Sequence, residues 1–449
     1  MLESLLKTEN IPTGLRQFVQ DKAEGNPFYL EELVNSLIES ETLMRDNGGW
    51  KITRTITESD ISSTVHGLIS GRLDRLEKET KRILQEASVI GRAFLYEILL
   101  KVTELKERID SGLSTLERLD LIRARSFQPD LEYMFKHPLT QEVVYNGLLK
   151  RDRQAIHEHI ALVMERLFQD RLPEFYETLA FHFKRGQSVS KAVDYLMKSG
   201  EKSVGRYAVE EAHKYYQEAI NILDNKPDKS LEEKELLIDL LIRWALVFYH
   251  RGDFGGLDKL FSDHEDLARS LDDKERLGMF YAWLGFVIAC ARGNPKVSFQ
   301  YLSEALELGK EIGNQQVIGY ACTWLIWTCS DWGLLDEAIA FGEKAQEISG
   351  ILKSDHYLFY KSLAGIGHTY WCKGESDKIF EIGKTLLDYG KKHSSIRSLV
   401  VGHIYTGTGY LTAGDFTSAI DCYKRALEVG ADPFYAHWGR MFLGATYLY

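Results

Sequence analysis

GDFTSAIDCYKRALEVG, residues 414–430, decides the architecture. Gly414-Asp415-Phe416 is a turn signal, and Ala419, Tyr423 and Ala426 recur after it at helical spacing. The opening glycine is not alone. Gly252, Gly293, Gly333, Gly374 and Gly414 stand 41, 40, 41 and 40 residues apart, each closing one aromatic-rich helical stretch and opening another. Gly444 falls where the first helix of a further unit is expected. A fixed period of about 40 residues predicts a helical solenoid, whose units bury their apolar faces only by stacking. Solenoids present surface, so the period favours binding over catalysis.

Composition sets the bounds around this core. A chain of 449 residues has room for two or three domains. The net charge of −11 disfavours nucleic acid as a partner, because affinity for phosphates rests on basic side chains. Eight prolines and few strand-like segments point to a mainly all-α chain. Cys290, Cys322, Cys329, Cys372 and Cys422 all lie in apolar helical stretches without a CxxC pair. They are expected to be small buried hydrophobes in a reducing cytosol, with no disulfide frame and no metal site. MLESLLKTEN lacks the basic start and apolar run of a signal peptide. The apolar, uncharged stretches 277–291 and 315–330 fall short of the ~18 residues of a spanning helix and coincide with first helices of repeats. The expected location is cytoplasmic, with no membrane contact.

Within the unit 400–433, Gly407 and Tyr410 lie on the first helix, Ala419, Tyr423 and Ala426 on the second, and Asp432-Pro433 ends it. Small residues let the two helices approach and aromatics fill the groove between them. This order resembles the tetratricopeptide repeat (TPR), with a period longer than the family's usual 34. The unit at 360–387 keeps Gly367, Tyr370 and Gly374, and an irregular early unit shows Gly200, Ala212, Tyr216 and Ala219.

Residues before 190 read differently. Apolar residues at helical spacing fill 28–43, 65–76 and 79–90, with a further cluster at 94–101 and 105–119. Two strand-like pieces, LIRARSF and LEYMFKH, flank Gln128-Pro129-Asp130, and helices at 139–149 and 153–168 follow. Helices leading into a small hairpin describe a winged helix. NGGWK at 47–51 signals a turn before a short strand or loop. The expected domains are 1–59, 60–150 (winged helix), 151–188 (connecting helices) and 189–449 (TPR-like repeats).

AEGNPFYLEELVNSL (23–37), VHGLISGRLDRL (65–76), ILQEASVIGRAF (83–94) and FKHPLTQEVVYNGLLKRDR (135–153) together resemble the signal-transduction ATPases called STAND proteins. The nearest likeness is to bacterial proteins that join a class III adenylate or guanylate cyclase to the ATPase and repeats. The resemblance implies that 1–59 is the end of an ATPase lid domain. It implies that Pro27, in Gly25-Asn26-Pro27, matches the GxP motif whose proline packs on adenine. It also implies that His137, before Pro138, reaches the β-phosphate of bound ADP. Each has a plainer reading: Gly-Asn-Pro as a helix start, and a lone histidine as a cap or core-edge residue. Arg72, Asp74 and Arg75 occupy family-like positions that a solvated charged face explains equally well.

No catalytic residue set is present. The only GKT, Gly383-Lys384-Thr385, has Lys378 where a P-loop's first glycine belongs and lies inside a repeat helix. The phosphate-binding core and any cyclase are therefore expected upstream, and LGATYLY stops inside a repeat's first helix, so a fragment of a longer protein is expected. No cofactor is expected on this chain alone; ATP or ADP with Mg belongs to the longer parent. His157 and His159, two apart on a helix, cannot share a metal. The expected partners are a protein or other ligand on the repeat surface and the upstream nucleotide domain. The leading expectation is a regulatory, interaction segment of a STAND-type ATPase. A DNA-binding regulator is the alternative, opposed by five acids against three bases over 104–120. A plain TPR scaffold is the other.

Overall fold

The computed structural model describes residues 1–8, 11–23, 25–46, 49–54, 64–126, 130–224, 226–430 and 432–448. The 59/60 domain boundary, Asn47-Gly48 of the NGGWK turn and Gln128-Pro129 lie outside the described residues. The chain divides into two compact units, Met1–Ser188 and Val189–Tyr449.

The first unit opens with α1 (Leu2–Leu6), α2 (Thr13–Ala23), α3 (Pro27–Glu39) and a hairpin of β1 (Leu43–Asp46) and β2 (Gly49–Ile52). Leu15, Val19, Leu33 and Leu37 form their small core. There follow α4 (Val65–Asp74), α5 (Lys78–Ile90), β3 (Ala93–Leu95), α6 (Tyr96–Val102), α7 (Ile109–Arg118), β4 (Ile122–Ser126) and β5 (Glu132–Phe135). The three strands form an antiparallel sheet in the order β3-β5-β4. Ile83, Leu84, Leu113, Leu116 and Phe135 are fully buried between the helices and this sheet. Residues 94–101, expected as one helical cluster, begin as a strand instead: Phe94 sits opposite Tyr133. A three-residue strand is too short to display an alternation. Then come α8 (Pro138–Asn146), α9 (Lys150–Leu167) and α10 (Tyr176–Arg185). His157 and His182 are buried there, their Nδ1 atoms 2.9 Å apart, while Tyr145 Oη lies 2.9 Å from His157 Nε2. Burial pushes these imidazoles down, to about 4 and about 3, so the contact is between neutral rings.

The second unit is a TPR-like stack of antiparallel helix pairs. It runs α11 (Val189–Gly205), α12 (Val209–Asp224), α13 (Leu231–Arg251), α14 (Phe254–Ser270), α15 (Lys274–Arg292), α16 (Pro295–Ile312) and α17 (Gln315–Asp331). It continues with α18 (Leu335–Ile351), α19 (His356–Lys373), α20 (Ser376–His393), α21 (Ile396–Ala413), α22 (Phe416–Val429) and α23 (Pro433–Thr446). The periodic glycines end the odd-numbered helices in the left-handed region, with φ between 59° and 86°, where a side chain would be strained. Asp253, Asn294 and Asp415 then cap the next helices. Gly407 lets Tyr423 pack flush: a Cβ there would lie 2.7 Å from the ring.

The two helix sets are buried differently. The even-numbered helices bury one stripe, such as Ala338, Gly342, Ala345 and Ile348 of α18. Of the odd-numbered ones, α15 and α17 are enclosed almost all round: Gly278–Ile288 and Val317–Ile326 are buried without a break. Both lie in uncharged stretches of the sequence, and among the described residues no helix is long and apolar enough to cross a membrane. The cysteines correct the sequence reading. Cys322 and Cys329 are buried, but Cys290 and Cys372 are exposed and Cys422 is half-buried. Gly383-Lys384-Thr385 lies inside α20, with Gly383 packed against Thr406 of α21.

Candidate functional sites

In the first unit the structure brings the two residues singled out by resemblance to one surface. Asn26 Oδ1 accepts from the N–H groups of Phe28 and Tyr29 at 3.1 and 3.2 Å, which starts α3. Pro27 occupies the first helical position, where its missing N–H costs nothing, and its ring is exposed. Next to it, Phe28 stacks on His137 with ring centroids 3.5 Å apart and 13° between planes. His137 caps α8: its Nδ1 accepts from Leu139 N–H at 3.2 Å. The plainer readings of both residues therefore hold, as helix start and as cap. That bond places the neutral ring's proton on Nε2, which can donate one hydrogen bond. Burial pushes the imidazole below its ordinary value; Glu31 pulls it up, while Arg92 and Lys136 push it down. Phe28 was not singled out in the sequence, although it directly follows Pro27.

Charged groups clamp α3 around this contact. Lys136 pairs with Glu31 of α3 and with Asp120. Arg72 is only 2% exposed, which overturns the solvated-face reading of this position. Its Nη1 meets Glu32 at 2.6 Å, its Nε meets Glu39 at 2.8 Å, and its Nη2 donates to Leu119 O at 2.7 Å. Burial raises the Glu32 carboxyl despite Arg72, whereas the two carboxylates hold the guanidinium charged. Arg75 and Asp74 stay exposed, Arg75 donating to Ser36 O and Oγ at 3.2 Å and Asp74 meeting Lys81 at 2.7 Å. Guanidinium forks suit such bridging, since one residue can hold three acceptors.

In the second unit the inner helices converge on Tyr249 of α13. Its ring lies 4.6 to 6.1 Å from those of Phe286 (α15), Trp324 (α17), Tyr357 (α19), and Phe434 and Tyr435 (α23). The concave side that solenoids usually leave open is thus filled with aromatic rings. Two polar groups are sealed with them. Asp432, at the start of α23, is gripped by Arg397 (Nη2 to Oδ1, 2.9 Å) and lies 3.3 Å from His250 Nδ1, without hydrogen-bond geometry. Lys361 of α19 is 3% exposed. Its Nζ donates to Tyr249 Oη at 2.8 Å and lies 4.0 Å from the Trp327 centroid, 5.0 Å from Tyr249 and Trp324, and 5.9 Å from Phe434. Burial pushes the amine down from 10.5 to about 7; the Cys290 thiol is the one group that acts to raise it. No carboxylate pairs with it among the described residues. The sequence carried a signal for it: Lys361 is the only Asp, Glu, Lys or Arg between His356 and Cys372.

Near the end of the same helices, His368 stacks on Trp327 and its Nε2 lies 3.0 Å from Asp331 Oδ1. Burial alone would lower this imidazole, but Asp331 and Cys372 raise it to about 9. Among the described residues no group of three or more His, Cys, Asp or Glu side chains could hold a metal ion.

No family model matches the chain. An uncharacterized protein of Rhizobium meliloti is 23% identical over 271 residues, covering 58% of this chain and 25% of that protein. The chain thus spans about a quarter of the curated relative it matches. Among solved structures, the STAND protein with a tetratricopeptide repeat sensor from Pyrococcus horikoshii aligns with 100% of this chain and 68% of its own, at 14% identity and TM-score 0.41. Aspartyl phosphate phosphatase F from Bacillus subtilis aligns with 94% of this chain and 95% of its own, at 12% identity and TM-score 0.46. Yeast Tom70 aligns with 100% and 91%, at 13% identity and TM-score 0.35.

Proposed function

We propose that this chain is the sensing and relay part of a STAND-type ATP-binding signalling protein. The repeats take up a protein or other ligand, and the first unit passes the change to a nucleotide-binding domain upstream. In this reading 1–59 is the lid remnant, 60–150 a winged helix and 151–188 the connection to the repeats. The observation that carries the reading is the Phe28–His137 stack, which sets exposed Pro27 beside an imidazole that retains one N–H donor. An adenine against Pro27 and a phosphate oxygen on His137 Nε2 are the roles the STAND resemblance implies. Burial pushes the imidazole down, and its neutral form can donate one hydrogen bond from Nε2 to a phosphate oxygen. The link to an adenylate or guanylate cyclase rests on the same resemblance.

The test uses the coding sequence extended upstream of Met1. The longer protein should retain ADP through purification, and His137→Ala should release it at least ten-fold faster while α8 stays folded. Unchanged release would remove the phosphate role. ATP turnover by the 449-residue chain itself, abolished by Pro27→Ala, would overturn the assignment of the nucleotide core to another segment.

A further inference from the structure

From the inner helices of the repeat unit we infer that Lys361 anchors a ligand carboxylate carried on an aromatic body. A lysine enclosed by rings can be satisfied by cation–π attraction alone. Two observations argue against that here. The ammonium has three donors but one hydrogen-bond partner, Tyr249 Oη. Around it, Trp324 Nε1, Trp327 Nε1 and Tyr357 Oη are buried without a partner. The cluster therefore holds unmet donors, and its described carboxylate, Asp432, is taken up by Arg397, in a setting where each unmet donor is costly. An anionic acceptor meets those donors, and the surrounding rings select an aromatic body to carry it.

The way in is set by the same rings. Lys361 itself fills the cage, but Trp327 and Phe434 are half-exposed, so the amine lies one ring below the surface. Phe434 is the most distant of the four rings and belongs to α23, where Trp438 follows it one turn on along the same side. A ligand enters by displacing the Phe434 ring. Its aromatic group then takes that ring's place against Tyr249 and its carboxylate meets Lys361. The inference deepens the sensor reading and rests on it only for what binding signals.

The test uses the full chain and phenylacetate, with phenylacetamide as the neutral isostere and calorimetry as the readout. Phenylacetate should bind saturably and at least ten-fold more tightly than the amide. Lys361→Met should abolish that preference, and Phe434→Ala should tighten phenylacetate several-fold by opening the entrance. A second pair, Gly-Gly-Phe and its C-terminal amide, distinguishes the carboxylate's source. Tighter binding of the peptide acid than of phenylacetate supports a peptide terminus, and weaker binding supports a small free acid. Equal affinity for acid and amide, a preference that survives Lys361→Met, or no binding even to Phe434→Ala overturns the inference. None of those results bears on ADP retention, so failure here is separable from failure of the relay assignment.

Discussion

Replacing Lys361 by methionine should stabilise the repeat unit, and by an amount that depends on pH. The amine falls from 10.5 to about 7 because burial strips its hydration and no carboxylate replaces it. The folded state therefore holds fewer protons than the unfolded chain between about pH 7 and 10.5. The resulting penalty is full below pH 7 and is relieved as the pH rises toward 10.5. A drop of that size corresponds to ~5 kcal/mol, of which ~3 kcal/mol is recovered between pH 7 and 9.5. Methionine keeps the length and the ring contacts but has nothing to desolvate. Lys361→Met should thus gain several kcal/mol at pH 7 and ~3 kcal/mol less at pH 9.5. Seven of the eight tryptophans lie in the second unit, so urea unfolding followed by tryptophan fluorescence reports on it directly. The charged and titratable groups around the amine include Cys290, Tyr249, Tyr357, Tyr360, Tyr435, His250, Arg397 and Asp432. Subtracting the variant's curve from the wild type's cancels their own titrations to first order. A difference that stays flat from pH 7 to 9.5, or a variant less stable than wild type at pH 7, would refute the reasoning: the cage would then be satisfying the charge.

Arg72→Met should expose α3 to hydrogen exchange, because Glu32 and Glu39 lose their shared partner; breaking a buried pair costs ~3–5 kcal/mol, and unchanged α3 protection would contradict the clamp. Three glycines separate steric from backbone causes. Gly407→Ala drives a Cβ to 2.7 Å from Tyr423 and should cost ~1–3 kcal/mol. Gly414→Ala meets open space but at φ 86°, and should cost ~1 kcal/mol. Gly444→Ala, in open space inside α23, should gain ~0.5–1 kcal/mol. Equal melting shifts across the three would discredit this ranking. For Asp331→Asn, an NMR titration of His368 should show its pKa falling from about 9, since burial is then opposed by Cys372 alone. A raised imidazole contributes stability that is full below pH 6.5 and lost as the pH passes about 9. Asp331 is largely exposed, so the variant should lose at most ~1 kcal/mol below pH 6.5.

The repeat architecture was legible because its cause is local. A glycine in the left-handed conformation every 40 or 41 residues, followed by a capping side chain, states where each helix stops and the next begins. Tyr423 behind Gly407 states how closely they pack. The hairpin strands β4 and β5 were legible for the same reason, whereas β3 was not, since three residues carry no period and its partner lies about 40 residues away. Pro27 and His137 could be named from motif resemblance, but their connection through Phe28 depends on two segments more than 100 residues apart meeting in space.

Charge was where the sequence misled. Arg72 read as solvated because a charged residue on a helix usually is; only the packing of α3 over α4 buries it, while Arg75 stays exposed. Exposure of Cys290 and Cys372 likewise depends on which helix face the neighbouring pairs leave uncovered. The sequence by itself determined that helix pairs would stack, because caps, turns and small–aromatic spacing act within a few residues of one another. Only the tertiary structure decided that the inner face closes, with Tyr249, Trp324, Lys361 and Phe434 meeting from four helices. That convergence depends on how the stacked pairs curve through space, a sum of small packing angles that no single repeat encodes.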